Sequence, residues 1–406
     1  NQFLIVAKNQ FNSYEHVVST GYVADLGMDL EKEIGNRYGM PLGRVITAKK
    51  FKSVQQALSL SSKIVWFFPN LTKKAIEGAQ YTNGNTLIIG PPGQGKSVLV
   101  KYIFLWLTFL GQKILYIDPK NETVLFFKRA LDKFGHIPEF KALYQRINFV
   151  SLSSEERYRG MLDPLLFLPR EEAIQTARNV LENFGEVTTD SHTASDKKTL
   201  ILDSVNAVMK GKGKKHLTKV IEVIREKDPK LANLISGHNV GLGKILLGND
   251  YSEPIRFENQ INVLGTQGLK IPTQAEIDSG RLNNEQIAGM SIMEVIMKMT
   301  TIFSTDKTED AAIIFDEAKG FEDTAQGRFL IEGSLRQGRA NMTDIYLVTQ
   351  AFMDYDKEDK KELLSYKFAF RPNQKEAQKK VLEFFGMDTN PANIQLINEL
   401  KSGTCL

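Results

Sequence analysis

One segment constrains the fold of this chain more than any other, because it joins an apolar run, a glycine-rich turn and an apolar helix. The turn follows the apolar run Asn85–Ile89 and has the pattern G-x-x-x-x-G-K-[S/T], written out as Gly90-Pro91-Pro92-Gly93-Gln94-Gly95-Lys96-Ser97. Glycines let the backbone curl until successive N–H groups point at one anion, and the following helix adds its positive N-terminal end. The segment therefore predicts a phosphate loop between a strand and a helix.

The two residues that close this turn carry the chemistry of a nucleotide site. The Lys96 ammonium group can reach the β- and γ-phosphates of ATP, and the Ser97 hydroxyl can serve as a ligand of the bridging Mg²⁺. A glycine-rich turn without a ligand is the structural alternative. Strand, loop, Lys-Ser pair and helix all agree, so we interpret the segment as an ATP and Mg²⁺ site.

A second motif supplies what hydrolysis needs beyond binding. The apolar run Ala311–Phe315 ends in Asp316 and Glu317, and parallel sheets present ligand-binding residues at the carboxyl ends of their strands. Asp316 would order the Mg²⁺ shell, and Glu317 would take or polarise the proton of the attacking water. An apolar strand ending in Asp-Glu is common by itself, but together with the phosphate loop it predicts an ATPase.

Composition does not by itself identify the class of the protein, but it excludes a disulfide-stabilised fold and an apolar run long enough to span a membrane. The chain has 406 residues, enough for two or three domains, and a net charge of only +4, so any nucleic-acid surface must be local. The single Cys405 excludes an internal disulfide framework and fits a reducing compartment. The longest apolar run, 98–110, is too short to cross a bilayer and is interpreted as the buried helix behind the phosphate loop.

The pattern along the chain predicts an α/β fold, a RecA-like P-loop NTPase core with a mostly parallel sheet and an inserted, mostly helical subdomain. We expect residues 1–45 to be an N-terminal segment or the linker from a missing domain. The core would take up 46–152 and 274–406, and the helical insertion 153–273, a stretch too long for a loop in a compact sheet. The absence of an initial Met and of a signal peptide suggests a cytoplasmic region cut from a longer protein.

A charged cluster follows the next predicted strand, Lys113–Ile117. It reads Asp118-Pro119-Lys120-Asn121-Glu122 and would lie beside the nucleotide crevice of a doubly wound sheet. Asp118 or Glu122 could contact the water shell of the metal. Capping of the following helix by Asp118 or Asn121 explains the same residues equally well.

Further residues near the end of the core fit a nucleotide-responsive role. Gln350 follows the predicted strand Asp344–Val348 and can hydrogen-bond the attacking water or the γ-phosphate. Arg336 and Arg339 precede that strand, and either can reach the nucleotide of a neighbouring subunit if chains associate. A surface ion pair is the alternative for each arginine. Arg371 is a weaker candidate of the same type.

A basic, glycine-rich turn lies inside the predicted insertion, at 210–216. Its lysines could grip the phosphates of DNA. No aromatic residues are interleaved with them, so a solvated loop is the favoured interpretation.

The order of these motifs resembles that of the conjugation ATPases of type IV secretion systems, the TraC/TrbE type within the FtsK/HerA superfamily, over about residues 40 to 406. The resemblance implies a motor that assembles as a hexamer or dimer and works with channel components and a coupling protein. It also implies a cytoplasmic location at the inner face of the cell membrane, with attachment through partners. By that analogy Lys96, Ser97, Asp316, Glu317 and Gln350 keep the nucleotide roles given above, and Arg339 or Arg336 acts in trans.

Two other functions are compatible with the same residues. One is a DNA translocase of the same superfamily, with the basic turn on its substrate. The other is a nucleotide-gated assembly protein, in which ATP binding drives oligomerisation and turnover is incidental.

Overall fold

The computed structural model folds into two compact units, Asn1–Phe68 and Pro69–Leu406. The residues it describes are 5–8, 15–18, 39–45, 64–70, 83–187, 194–257, 259–304, 309–318, 321, 325–338, 341–350 and 361–406. In the first unit, strand β1 (Ile5–Lys8) pairs antiparallel with β2 (Glu15–Val18), and β3 (Met40–Arg44) pairs antiparallel with β4 (Ile64–Phe67).

The second unit is built on a parallel sheet with the strand order β11-β5-β10-β9-β6-β8-β7. Its strands are β5 Thr86–Ile89, β6 Lys113–Asp118, β7 Ile147–Ser151, β8 Ile261–Gly265, β9 Ala311–Asp316, β10 Thr343–Thr349 and β11 Tyr366–Ala369. The inner strands are buried along nearly their whole length. Because helices cover both faces of such a sheet, its strands are continuous apolar runs rather than alternating ones.

Helices fill the connections between these strands. Their bounds are α1 Lys96–Phe109, α2 Glu122–Phe134, α3 Pro138–Gln145, α4 Pro164–Phe167, α5 Arg170–Phe184, α6 Ala194–Lys210, α7 Leu217–Lys227, α8 Pro229–Ser236, α9 Gln274–Asp278, α10 Asn284–Phe303, α11 Ala325–Gly338, α12 Lys375–Phe384 and α13 Pro391–Glu399. Helix α1 contacts β5 and β6, and α11 contacts β10. The predicted α/β architecture with a parallel sheet is present.

Helix α1 is the apolar helix that the sequence predicts behind the phosphate loop, but only one of its faces is buried. Val100, Phe104 and Leu107 lie at helical spacing against the sheet, whereas Val98 and Phe109 are 73% and 69% exposed. In the described part of the chain, no helix combines the length and the apolar character that crossing a bilayer requires.

Between β7 and β8 the chain is mostly helical. Helix α5 packs against α6 and α10, and α7 packs against α6 and α8. Buried side chains of these helices and of the sheet belong to one continuous hydrophobic core. Because β8 is a strand of the central sheet, we propose that the helical insertion ends before Ile261, earlier than the boundary at 273 that the sequence suggests.

Asp163 ties the helical segment together from a fully buried position. Its carboxylate accepts hydrogen bonds from the backbone N–H groups of Leu165 at 3.0 Å, Leu217 at 2.7 Å and Gly248 at 2.9 Å. It therefore caps both α4 and α7 and holds a third segment against them. Burial raises the pKa of this carboxyl to about 7, although the three backbone hydrogen bonds lower it.

Replacing Asp163 with Asn should lower the free energy of unfolding by about 1–3 kcal/mol, because the amide N–H₂ must face a backbone N–H donor. The pKa, raised from 3.8 to about 7, means that the folded state holds the proton more tightly. The protonated Asp163 carboxyl stabilises the fold fully at a pH below the pKa of the unfolded state. This stabilisation is lost as the pH rises through the pKa of the folded state. Urea denaturation should therefore show the wild-type advantage over Asp163→Asn shrinking between about pH 4 and about pH 7. A constant difference would contradict the raised pKa.

Candidate functional site

The loop between β5 and α1 has the backbone shape of an anion cradle. Gly93 has φ 76° and Gly95 has φ 113°, which are left-handed values that side chains strongly disfavour. A Cβ atom at Gly95 would also lie 3.1 Å from the Cα of Gly403 and 3.2 Å from Cε1 of Phe370. Glycine is therefore favoured at Gly95 by its backbone conformation, and a Cβ atom there would also be tight against Gly403 and Phe370.

Lys96 begins α1 and turns back into the loop. Its ammonium group donates to the carbonyl oxygens of Gly90 and Pro91, the latter at 3.0 Å. Burial lowers the pKa of this lysine, whereas the charge of Glu317 raises it. The ammonium group is thus largely shielded from solvent and lies within the electrostatic reach of the acidic pair, as the sequence predicts for a phosphate-binding lysine.

The end of the chain packs against the same loop. Ser402 Oγ donates to the carbonyl oxygen of Gly93 at 3.0 Å, and the Gly403 N–H donates to that of Gln94 at 2.8 Å. Backbone hydrogen bonds between Ala369 and Leu406 join this segment to β11. The loop is therefore held from outside as well as by its own glycines.

Asp316 lies at the carboxyl end of β9, beside the loop. Its Oδ2 accepts a 2.7 Å hydrogen bond from the hydroxyl of Tyr116, which is fully buried on the neighbouring strand β6. Tyr116 is paired in register with Ile314, two residues before Asp316, so both side chains lie on one face of the sheet. Burial raises the pKa of Asp316, while the Tyr116 hydrogen bond lowers it.

Glu317 follows with an uncommon backbone conformation, φ 67°, in the left-handed region. Its Oε2 accepts hydrogen bonds from Nε2 of Gln350 at 2.6 Å and from Nζ of Lys120 at 3.0 Å. Gln350 follows β10, and Lys120 follows β6. Three strands thus deliver one carboxylate and its two donors to the same edge of the sheet.

Asp118 has a different role from the metal contact that the sequence leaves open. Its carboxylate accepts hydrogen bonds from the backbone N–H of Thr123 at 2.7 Å and of Lys120 at 3.1 Å. The residue is 1% exposed. Both oxygens thus stabilise the start of α2 and the turn before it. This is the helix-capping role that the sequence leaves open as the alternative to a metal contact.

These residues surround one cavity of about 400 Å³, within the range of about 300–1,000 Å³ usual for small-molecule sites. The cavity lies where the carboxyl ends of β6, β9 and β10 meet the phosphate loop. Its lining includes both lysines, the acidic pair and the glutamine discussed above, and the full set is Pro92, Gly93, Gly95, Lys96, Ser97, Val98, Asp118, Pro119, Lys120, Glu122, Asp316, Glu317, Val348, Gln350 and Ser402.

The donor set of the cavity fits a Mg²⁺ nucleotide. Within the described residues, no three His, Cys, Asp or Glu side chains gather as a metal site of their own. Mg²⁺ commonly takes only one or two protein groups and completes its shell with substrate phosphates and water. Ser97 and Asp316 both line the cavity and could supply such a pair of oxygen ligands, and the loop with Lys96 could hold the phosphates.

The arginines predicted to act in trans lie elsewhere. Arg336 is exposed in the last turn of α11. The preceding Leu335 carbonyl accepts a hydrogen bond from Asn85, directly before β5, so this end of α11 is at the amino edge of the sheet, opposite the cavity. Arg339 lies outside the described residues. Arg371 donates to the carbonyl oxygen of Asn398 at 3.4 Å.

Contacts of the basic turn at 210–216 support its interpretation as a surface loop. Lys214 donates to the carbonyl oxygens of Asp250 and Ser252, and Lys215 donates to that of Gly211. Lysines engaged in this way hold the turn against the protein. They are less available for the phosphates of a nucleic acid.

Residues 63–406 match the family model described as an AAA-like domain. The chain belongs to the AAA-like domain family. This AAA-like domain is 27% identical over 400 residues to the uncharacterized protein YddE of Bacillus subtilis (strain 168), a match that takes in 95% of this chain and 47% of the relative. The chain thus spans about half the length of that relative.

A solved structure shares the fold of this chain. The structure of VirB4 of Thermoanaerobacter pseudethanolicus matches the AAA-like domain with a TM-score of 0.58 at 15% identity, over 92% of this chain and 94% of that one. The bacterial conjugative coupling protein TrwBdeltaN70 matches with a TM-score of 0.43 at 13% identity, over 74% and 72% of the two chains. The predicted resemblance is confirmed at the level of the fold, and so is the predicted fold class of a P-loop core with an inserted helical subdomain.

Three residues of the site were not singled out from the sequence. Tyr116 lies within the predicted strand Lys113–Ile117, in which no site residue was predicted from the sequence. Lys120 belongs to the cluster 118–122, in which only the carboxylates were considered as possible contacts of the metal shell. Ser402 is far in sequence from every motif. Only the strand order, which places β6 beside β9, could have pointed to the first two.

Gly95→Ala should destabilise the AAA-like domain more than Gly93→Ala does, and should also weaken phosphate binding. Each variant bears the cost of a left-handed alanine, about 1–2 kcal/mol, but a Cβ at Gly93 has no atom within 4 Å. Urea unfolding measures the difference, with Gly93→Ala as the matched control. Equal losses of unfolding free energy in the two variants would show that Phe370 and Gly403 can shift to accommodate the Cβ atom without destabilising the fold.

Proposed function

We propose that this protein is an ATP-hydrolysing motor that energises substrate transfer or pilus assembly in a conjugative type IV secretion system. The observation that carries the proposal is the convergence, on one cavity, of the phosphate loop with Asp316, Glu317 and Gln350. Binding groups and a candidate base for water meet there, as ATP hydrolysis requires. The family membership and the VirB4-like fold support the class of the protein.

The binding roles follow from the geometry of the loop. The backbone N–H groups of the loop and the Lys96 ammonium group would hold the β- and γ-phosphates. Ser97 and Asp316 would hold Mg²⁺, which when bound neutralises phosphate charge. Because Asp316 is buried and its pKa is raised, a cation beside it would favour the ionised carboxylate.

The catalytic roles fall to the residues at the ends of β9 and β10. Glu317 would accept the proton of the attacking water, since its carboxylate lines the cavity beside the loop. Gln350 donates to Glu317 at 2.6 Å and would keep the carboxylate in position while sensing the nucleotide.

Association of several copies would complete the site. Arg336 is exposed at the edge of the sheet opposite its own cavity, so any nucleotide that it contacts would belong to another copy. We propose that Arg336 or Arg339 supplies a trans arginine in a dimer or hexamer. We also propose that the protein works in the cytoplasm at the inner membrane face, through channel components and a coupling protein.

Lys96→Ala should abolish nucleotide binding, and Glu317→Gln should keep binding while lowering turnover by about 10²-fold or more. Fluorescent-nucleotide titration and phosphate release measure the two effects. The glutamine variant is nearly isosteric with Glu317, so it tests the base without opening a gap. Turnover in Glu317→Gln equal to that of the wild type would remove Glu317 from the mechanism.

Tyr116→Phe should raise the Mg²⁺ concentration needed for half-maximal turnover by about tenfold, because the hydrogen bond that orients Asp316 is lost. Tyr346→Phe is the matched control, since it removes a hydroxyl from another fully buried tyrosine on the opposite neighbour of β9. Turnover is measured across a Mg²⁺ titration at saturating ATP. Equal shifts in both variants would assign the effect to the core rather than to Asp316.

A further inference from the structure

Lys120 has no assigned role, yet its position in the cavity is well defined. The turn that carries it is anchored by Pro119 on one side and by the hydrogen bond from the Lys120 backbone N–H to Asp118 at 3.1 Å. Its side chain is 50% exposed and lines the cavity, and its ammonium group pairs with Glu317 at 3.0 Å. Because the backbone of Lys120 is held and its side chain is half exposed, the ammonium group can exchange one partner in the cavity for another.

Two lysines face the same small space. The positive charge of Lys120 lowers the pKa of Lys96, after the larger effect of burial. In the absence of other anions, Glu317 offsets this repulsion, because its charge favours the protonated form of each lysine. A phosphate between the two ammonium groups would offset it more strongly than a single carboxylate does.

We propose that Lys120 is a second cation for the terminal phosphate of a nucleoside triphosphate, and that it exchanges its ion pair with Glu317 for that phosphate. The inference rests on the function proposed above. Half-exposed ion pairs contribute only about 0–1 kcal/mol, so the exchange costs little. A diphosphate lacks the group that Lys120 would bind and leaves the Lys120–Glu317 pair intact.

The exchange couples the identity of the nucleotide to the state of the base. While Lys120 and Gln350 both donate to Oε2 of Glu317, that oxygen is occupied. When Lys120 moves to the phosphate, Gln350 alone keeps the carboxylate in position, and Oε2 gives up one of its two donors, so that it can accept a hydrogen bond from water instead. Binding of the triphosphate thereby removes a positively charged donor from the carboxylate that accepts the proton of water.

A double-mutant cycle tests this exchange by binding alone. Dissociation constants of Mg²⁺-AMP-PNP and of Mg²⁺-ADP are measured by calorimetry for wild type, Lys120→Ala, Glu317→Gln and the double variant. Lys120→Ala should weaken AMP-PNP binding about tenfold, or about 1.4 kcal/mol, and ADP binding less than about twofold. Glu317→Gln should tighten AMP-PNP binding only when Lys120 is present, because only then does the carboxylate compete with the phosphate.

Two further variants separate charge from general effects. Lys128→Ala removes an exposed lysine of α2 that does not line the cavity, and it should leave the ratio of the two dissociation constants unchanged. Lys120→Arg keeps the charge and should restore much of that ratio. If Lys120→Ala fails to fold, as judged by thermal unfolding, Lys120→Gln provides the same comparison.

The outcomes distinguish this inference from the proposed function. If Lys120→Ala lowers turnover but leaves the AMP-PNP to ADP ratio at the wild-type value, Lys120 only braces Glu317 and the exchange is wrong. If both nucleotides weaken equally, Lys120 acts through the fold and the exchange is also wrong. If the wild-type protein binds neither nucleotide, the proposed function itself fails, and the inference falls with it.

Discussion

The parallel pairing of β5, β10, β9 and β6 is the constraint on which the candidate site depends. Parallel strands in register end at the same edge, so residues far apart in sequence meet there. Thr349 is paired with Ile89, just before the phosphate loop, and Val348 is paired with Asp316. The loop, the acidic pair and Gln350 therefore converge without any local sequence signal that links them.

Charge pairing then decides how these groups behave. Positive charge is concentrated at Lys96 and Lys120, and negative charge at Asp316 and Glu317, around one cavity. Lys96 and Asp316 are the more shielded of these groups, and Lys120 is half exposed. Each group has a partner that holds it, namely loop carbonyls, a tyrosine hydroxyl, a glutamine or another charge. Bound phosphates would compete with several of these contacts at once, which makes the arrangement sensitive to the ligand.

Much of the site could be predicted because its signals are local. The phosphate loop needs glycines at fixed spacing and a Lys-Ser pair, and a run of apolar residues ending in Asp-Glu marks a strand end. Asp118 shows the limit of such reasoning, since a carboxylate after a strand suits both a metal shell and a helix cap. Only its two backbone donors, at Thr123 and Lys120, distinguish the roles.

The sequence by itself determined the α/β class, the phosphate loop with Lys96 and Ser97, and the acidic pair at 316–317, because each follows from the order of residues within a few turns of chain. Tertiary structure alone decided which side chains hold these groups, Tyr116 for Asp316 and Lys120 for Glu317. It also decided that Arg336 lies at the edge of the sheet opposite the cavity. Strand order and helix direction set those neighbours, and a single sequence specifies them only through the packing of the whole core.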